Sequence, residues 1–166
     1  HILSTVISKS SGTLTITDTI VAANDWTYTQ GTISPGSSTV LFRAQTDDAA
    51  TITGSHTLAN IGFYDNSFGA DRTITVAAGT TLTATGNLSL DTNGGDTVNG
   101  PGGVTVQGNI TSTDNGWTGT LPITLSGTNA QSITPVSYTH LRAHETVLDL
   151  VCRLLLEKKK SKKTYM

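Results

Sequence analysis

Cysteine is almost missing from this chain of 166 residues. The single one, Cys152, has no partner for an internal disulfide, so the fold is not a disulfide scaffold. Long apolar runs are missing as well. Nowhere do about 18 apolar residues follow one another, which excludes a membrane-spanning helix of the usual kind. Glutamate does not occur before Glu145, and the only cations among residues 1–134 are Lys9, Arg43 and Arg72. So little positive charge cannot neutralise a phosphate backbone, and nucleic-acid binding is excluded as a function. Before Pro135 no segment carries a capped 3.6-residue periodicity, so helices are not expected there.

What positive charge the chain has is concentrated at its end. Residues 1–134 set three cations against nine Asp, whereas from Pro135 onward seven cations face only Glu145, Asp149 and Glu157. A break this sharp divides the chain into a region of residues 1–134 and a tail of residues 135–166. Residues 136–160, VSYTHLRAHETVLDLVCRLLLEKKK, resemble no protein family; they resemble the translation of a sequencing-library adapter. The transposase end of such an adapter gives Val136 to Thr146 residue for residue, a barcode gives the next codons, and the remaining adapter gives Leu150 to Lys158. On this reading the tail is not native protein, and His140, His144 and Cys152 hold no metal, a role that needs three or four ligands at defined spacing. By polarity alone, Val147 to Leu156 has apolar residues at helical spacing followed by lysines. The tail is therefore expected as helix or disorder that packs little against the rest. The native reading frame is expected to run on past Thr134, and a start at His1 without Met or a secretory leader reads as an internal fragment.

Thr makes up about a fifth of residues 1–134, far above its share in ordinary domains. It is β-branched and favours extended backbone. Apolar residues alternate with it in Thr13-Leu14-Thr15-Ile16-Thr17, Thr39-Val40-Leu41-Phe42, Thr51-Ile52-Thr53, Thr73-Ile74-Thr75-Val76, Thr81-Leu82-Thr83-Ala84, Leu88-Ser89-Leu90, Val104-Thr105-Val106, Ile110-Thr111 and Ile123-Thr124-Leu125. Period two predicts strands with one apolar and one hydroxyl-bearing face. Clusters such as Ser34-Pro35-Gly36 and Asn99-Gly100-Pro101-Gly102 supply the turns between them. The region is all-β.

Two architectures accommodate these strands. Corners as short as Thr85-Gly86-Asn87 and Gln107-Gly108-Asn109 suit a parallel β-helix or β-solenoid, whose short strands stack coil upon coil. An antiparallel β-sandwich remains the alternative, and the longer Trp26 to Phe42 segment fits a hairpin nearly as well. In the solenoid, Ile74, Val76, Leu82, Leu88, Leu90, Val104, Val106, Ile110, Ile123 and Leu125 are expected to point inward, with Thr and Ser between them outward. The ordered series Asp25-Trp26-Thr27-Tyr28, Gly36 to Phe42, Ile52 to Ile61, Gly79 to Leu90 and Ile123 to Thr134 resembles one unit of the Thr-rich β-strand repeat proteins of bacterial cell surfaces, akin to the β-helical stalks of adhesins. That resemblance spans about residues 25–134 and implies a solenoid. Such units tend to have an aromatic where Leu58 stands and a Gly where Asn129 stands.

Few residues invite a chemical reading. Asp47-Asp48 is the only adjacent carboxylate pair in residues 1–134, and a polysaccharide-active β-helix enzyme needs two carboxylates about 5–10 Å apart. Neighbouring strand residues face opposite ways, so solvated turn residues are the simpler account. Asp91-Thr92-Asn93-Gly94-Gly95-Asp96 has the oxygens and glycines of a calcium loop but no closing Glu; a plain turn is expected. Trp26, Tyr28, Phe42, Phe63, Tyr64, Phe68 and Trp117 are the aromatics before the tail. They are expected as core or caps, although an exposed pair would make a platform for sugar rings. His56 is expected to be structural or exposed.

No catalytic, cofactor or metal residue is assigned, and no enzyme is expected. The leading expectation is a structural and adhesive repeat module of a secreted or surface-attached bacterial protein, extracellular or at the cell surface. Its partners would be adjacent repeats of the same chain and glycans or other surface polymers, gripped by many weak contacts along the array. A carbohydrate-binding sandwich and a polysaccharide-active enzyme are the alternatives.

Overall fold

A computed structural model describes residues 4–45, 49–64, 71–91, 96–113 and 118–134. The expected helix or disorder of the tail, and the pair Asp47-Asp48, lie outside the described residues. The chain enters with β1 (Thr5–Thr15) and β2 (Thr19–Ala23), followed by β3 (Trp26–Ser34) and β4 (Thr39–Arg43). A third layer holds β5 (Ala49–Thr53), β6 (His56–Leu58) and β7 (Asn60–Tyr64), and a fourth β8 (Thr73–Val76), β9 (Thr81–Ala84) and β10 (Leu88–Asp91). The fifth holds β11 (Thr97–Asn99), β12 (Gly103–Val106) and β13 (Ile110–Ser112), and the sixth β14 (Ile123–Leu125) and β15 (Ile133–Thr134).

Every paired strand runs parallel to its neighbour. Three sheets result. The first is β1-β3-β5-β8-β11, the second β2-β4-β7-β10-β13-β15, and the third β6-β9-β12-β14. The molecule is a β-solenoid of about five turns, not an antiparallel sandwich. The Trp26 to Phe42 segment, which suited a hairpin, is divided between two different sheets of one layer. Its strand β3 bends at Gly31, as β1 does at Gly12, both glycines having positive φ. The ends of these two strands then pair Leu14 with Ile33 ahead of the third sheet proper.

Alternation becomes packing because stacking keeps register. Val40, Ile61, Leu88 and Ile110 form one inward column of the second sheet, Phe42 and Phe63 its neighbour. In the third sheet Leu58, Ala84 and Val106 align, as do Leu82 and Val104; in the first sheet Ile74 lies beside Ala50 and Val98. These side chains are buried in one continuous core. Burying each large one contributes about 1.5–3 kcal/mol, which offsets the ordering of many short corners. A parallel ladder links only neighbours in the stack, so each layer contributes to the one above and below it.

Three of the inward expectations need correction. Leu90 is only partly buried against the core. Ile123 and Leu125 register with Val104 and Val106 as expected, yet they are 38% and 42% exposed. The cause is position rather than orientation: β14 is the outermost strand of its sheet, and no described strand lies beyond it to cover those side chains.

The corners differ in kind. Passage from the third sheet to the second takes one to three residues in three layers, Ala59 between β6 and β7, Thr85 to Asn87 between β9 and β10, and Gln107 to Asn109 between β12 and β13, and seven between β14 and β15. Passage from the second sheet back to the first varies from the two residues between β2 and β3 to the eight between β7 and β8.

Candidate functional surface

At the corner between third and second sheets an Asn recurs. Asn87 N–H donates to Asn60 Oδ1, Asn109 N–H to Asn87 Oδ1 and Ser132 N–H to Asn109 Oδ1, each at 2.9 Å. Asn60 Nδ2 in turn donates to Ser38 O at 3.0 Å. The amides form a ladder that satisfies the backbone where the chain leaves one sheet for another. Gly precedes Asn in two of these corners because a side chain there would strike the ladder. A Cβ on Gly86 would lie 2.4 Å from Asn60 Oδ1, and one on Gly108 2.6 Å from Asn87 Oδ1. The Gly-Asn pairs were legible as corners; the ladder between them was not, because it depends on register.

His56 opens β6 on the inward side and is 9% exposed. Its Nε2 accepts a hydrogen bond from Trp26 Nε1 at 3.1 Å. Because the indole only donates, the ring proton sits on Nδ1, which donates to Gly54 O at 2.7 Å. Trp26 and Tyr28 stack on the imidazole, with ring centroids 5.9 and 4.9 Å away. Burial holds the imidazole pKa below its ordinary value, partly opposed by the bond to Gly54. This is a satisfied core histidine. Trp26, Phe42 and Phe63 are buried with it, Trp26 meeting Phe42 edge-on at 5.5 Å. Among the described aromatics, Trp26, Phe42 and Phe63 are core and Tyr28 packs against it. Phe68 and Trp117 lie outside the described residues.

Of the calcium-like loop, Asp91 and Asp96 are described. Asp91 is exposed at the end of β10, whereas Asp96 is buried and its Oδ1 accepts Arg72 N–H at 3.0 Å. The two carboxylates thus stand in different environments, one solvated and one committed to the backbone. Among the described residues no three His, Cys, Asp or Glu side chains converge.

Charge is distributed by sheet. Of the nine Asp in residues 1–134, seven fall in, or directly bound, the connections from the second sheet to the first; Asp18 lies between β1 and β2, and Asp114 between β13 and β14. Arg43 and Arg72 belong to the same edge of the chain's winding. The third sheet, by contrast, has no charged residue in its strands or the corners around them, from Gly79 to Leu88, Gly100 to Ile110 and Gly119 to Thr134.

On the outer side of that neutral sheet one residue type repeats. Thr57 pairs with Thr83, Thr83 with Thr105 and Thr105 with Thr124. Thr57 and Thr124 are exposed and the middle two partly so. None of the four hydroxyls makes a side-chain hydrogen bond among the described residues. The first sheet also bears threonines, but there Thr97 and Thr118 bond each other at 3.0 Å and Thr120 donates to Asn99 Oδ1. The third-sheet column is therefore a row of free donors and acceptors, one per coil.

Fold and surface together define a parallel β-solenoid repeat of Thr-rich strands. No family model matches the chain, and neither a curated protein nor a solved structure matches it.

Proposed function

We propose that residues 1–134 are part of a structural and adhesive repeat array in a secreted or surface-attached bacterial protein, without catalysis of its own. The observation that carries this reading is the coil-on-coil stack. Its inward columns continue to the outermost described layer, where Ile123, Leu125 and Ile133 remain exposed and in register for another coil. Stacked coils extend a surface at about 4.8 Å per layer and present the same weak contact many times over, so affinity grows with length rather than with any one pocket. The neutral hydroxyl column and the acid-rich edge are surfaces that such repetition multiplies. Residues 136–160 enter the proposal as translated adapter and contribute nothing to the function.

The test is the unbroken genomic reading frame around this segment. Further units with a Gly-Asn corner every 19 to 27 residues, the spacing between Val104 and Ile123 and between Ile61 and Leu88, are the expected result. A frame that leads instead into the genomic equivalent of residues 136–160 would remove the adapter reading. One with no further Thr-rich strands on either side would remove the array.

A further inference from the structure

We propose that the outward face of the third sheet binds ice. The proposal deepens the adhesive reading, and rests on it, by naming the solid to which the array adheres. The relevant surface is the column Thr57, Thr83, Thr105 and Thr124, held in continuous register across four strands.

The spacing comes from the backbone. Parallel strands repeat about every 4.7–4.9 Å, and the solenoid imposes that repeat on the hydroxyls because each Thr pairs directly with the next. In a tetrahedral water network with O···O near 2.75 Å, second-neighbour oxygens lie about 4.5 Å apart. A column of hydroxyls at nearly that repeat offers each water in a lattice row an equivalent partner. Waters held in such a row are already arranged as the surface layer of the crystal, which lowers the ordering cost of meeting it.

Three features of the face favour ice over other partners. Its hydroxyls have no internal partners among the described residues, so water is their natural one. It carries no charge from Gly79 to Leu88 or from Gly100 to Ile110, and a charged group would hold its own hydration shell in a geometry foreign to the lattice. It also shows no outward aromatic: the one ring in its strands is His56, which is turned into the core. A polysaccharide surface would be expected to engage stacking rings.

The full chain is tested by thermal hysteresis and by uptake into a slowly growing ice hemisphere. The expected result is a freezing point held below the melting point, faceted crystals, and enrichment of the protein in the ice. Thr83→Tyr and Thr105→Tyr, in different coils, should each lose uptake while the circular dichroism spectrum stays that of parallel β-structure. Thr111→Tyr, on the second sheet, should keep it. Exclusion of the unsubstituted chain from ice overturns the proposal, as does equal loss in the Thr111→Tyr variant. Retention on crystalline cellulose that is abolished by the third-sheet substitutions, with no effect on ice, overturns it in favour of a glycan. If ice is ignored while the genomic frame still shows repeated coils, the ice reading fails and the array reading stands.

Discussion

His56 shows how a residue with several chemical uses becomes wholly structural. Its two nitrogens are both committed, one to Trp26 and one to Gly54, and only the neutral ring satisfies both. Burial lowers its pKa in the folded state, so the unfolded chain takes up a proton at a pH where the folded chain refuses it. The stability this residue contributes is therefore complete above about pH 6.5, the unperturbed value, and is lost as pH falls below it. Urea midpoints measured at about pH 7.5 and 5.5 should be lower at the acid value. In His56→Leu that difference should shrink, although the variant loses roughly 1–3 kcal/mol because the Trp26 N–H is left buried without an acceptor. A midpoint that does not change with pH would contradict the assignment. The same corner holds a second test. Gly54 and Gly79 both have positive φ, but a Cβ on Gly54 would lie 1.8 Å from Tyr28 O, and one on Gly79 would meet nothing within 4 Å. Gly79→Ala should cost only about 1–2 kcal/mol, the conformational penalty, and Gly54→Ala should unfold the second and third layers. Thermal melts of the two variants side by side decide it.

The unit of this fold is a corner and the strand that follows it. Asn87 accepts from the layer above with Oδ1, and its own N–H donates to the layer below. Asn87→Ala should therefore remove the acceptor of the Asn109 N–H, an exposed bond, and cost about 0.5–1.5 kcal/mol, read as a drop in the denaturant midpoint with m unchanged. An unaltered midpoint would mean that the ladder is decorative. Strands of this kind were legible in the sequence because Thr-Ile-Thr and Thr-Leu-Thr carry the period of two in plain form, and the short Gly-Asn corners favoured parallel stacking over the antiparallel sandwich that was the alternative. The first two layers were harder to read. Their first-sheet strands run through glycines at positive φ, Gly12 and Gly31, and the segment from Trp26 to Phe42 carries no local mark that separates a bend between sheets from a hairpin turn. Pairing partners settle that difference, and they lie 19 or more residues away. The Thr column had the same fate: each Thr was visible as outward, but its alignment with three others depends on coil lengths that a single strand does not contain. His56 was legible as structural or exposed and no further, because its partner Trp26 is a whole layer away.

As a whole, the molecule has unlike ends. In the entering layer Ile7, Ile16 and Ala22 are buried while Val6 and Val21 are exposed, whereas in the outermost described layer Ile123, Leu125 and Ile133, which register with core residues, are 38%, 42% and 42% exposed. An apolar row beside open strand edges invites association. The full chain should show a concentration-dependent rise in mass by light scattering, and Leu125→Lys should reduce it by placing a charge at the edge. A chain that stays monomeric over the same range would show the row to be inert. The uneven corners matter in another way. Three of the connections from the third sheet to the second take three residues or fewer and the last, from β14 to β15, takes seven, while those from the second to the first range from two to eight without disturbing register on either side. Loop closure grows only slowly more costly with length, so the seam from the second sheet to the first tolerates insertion. Evolution, or a designer, adding sequence there would obtain outgrowths in single file along one side of the rod, their separation set by the strand repeat and their number by the count of coils.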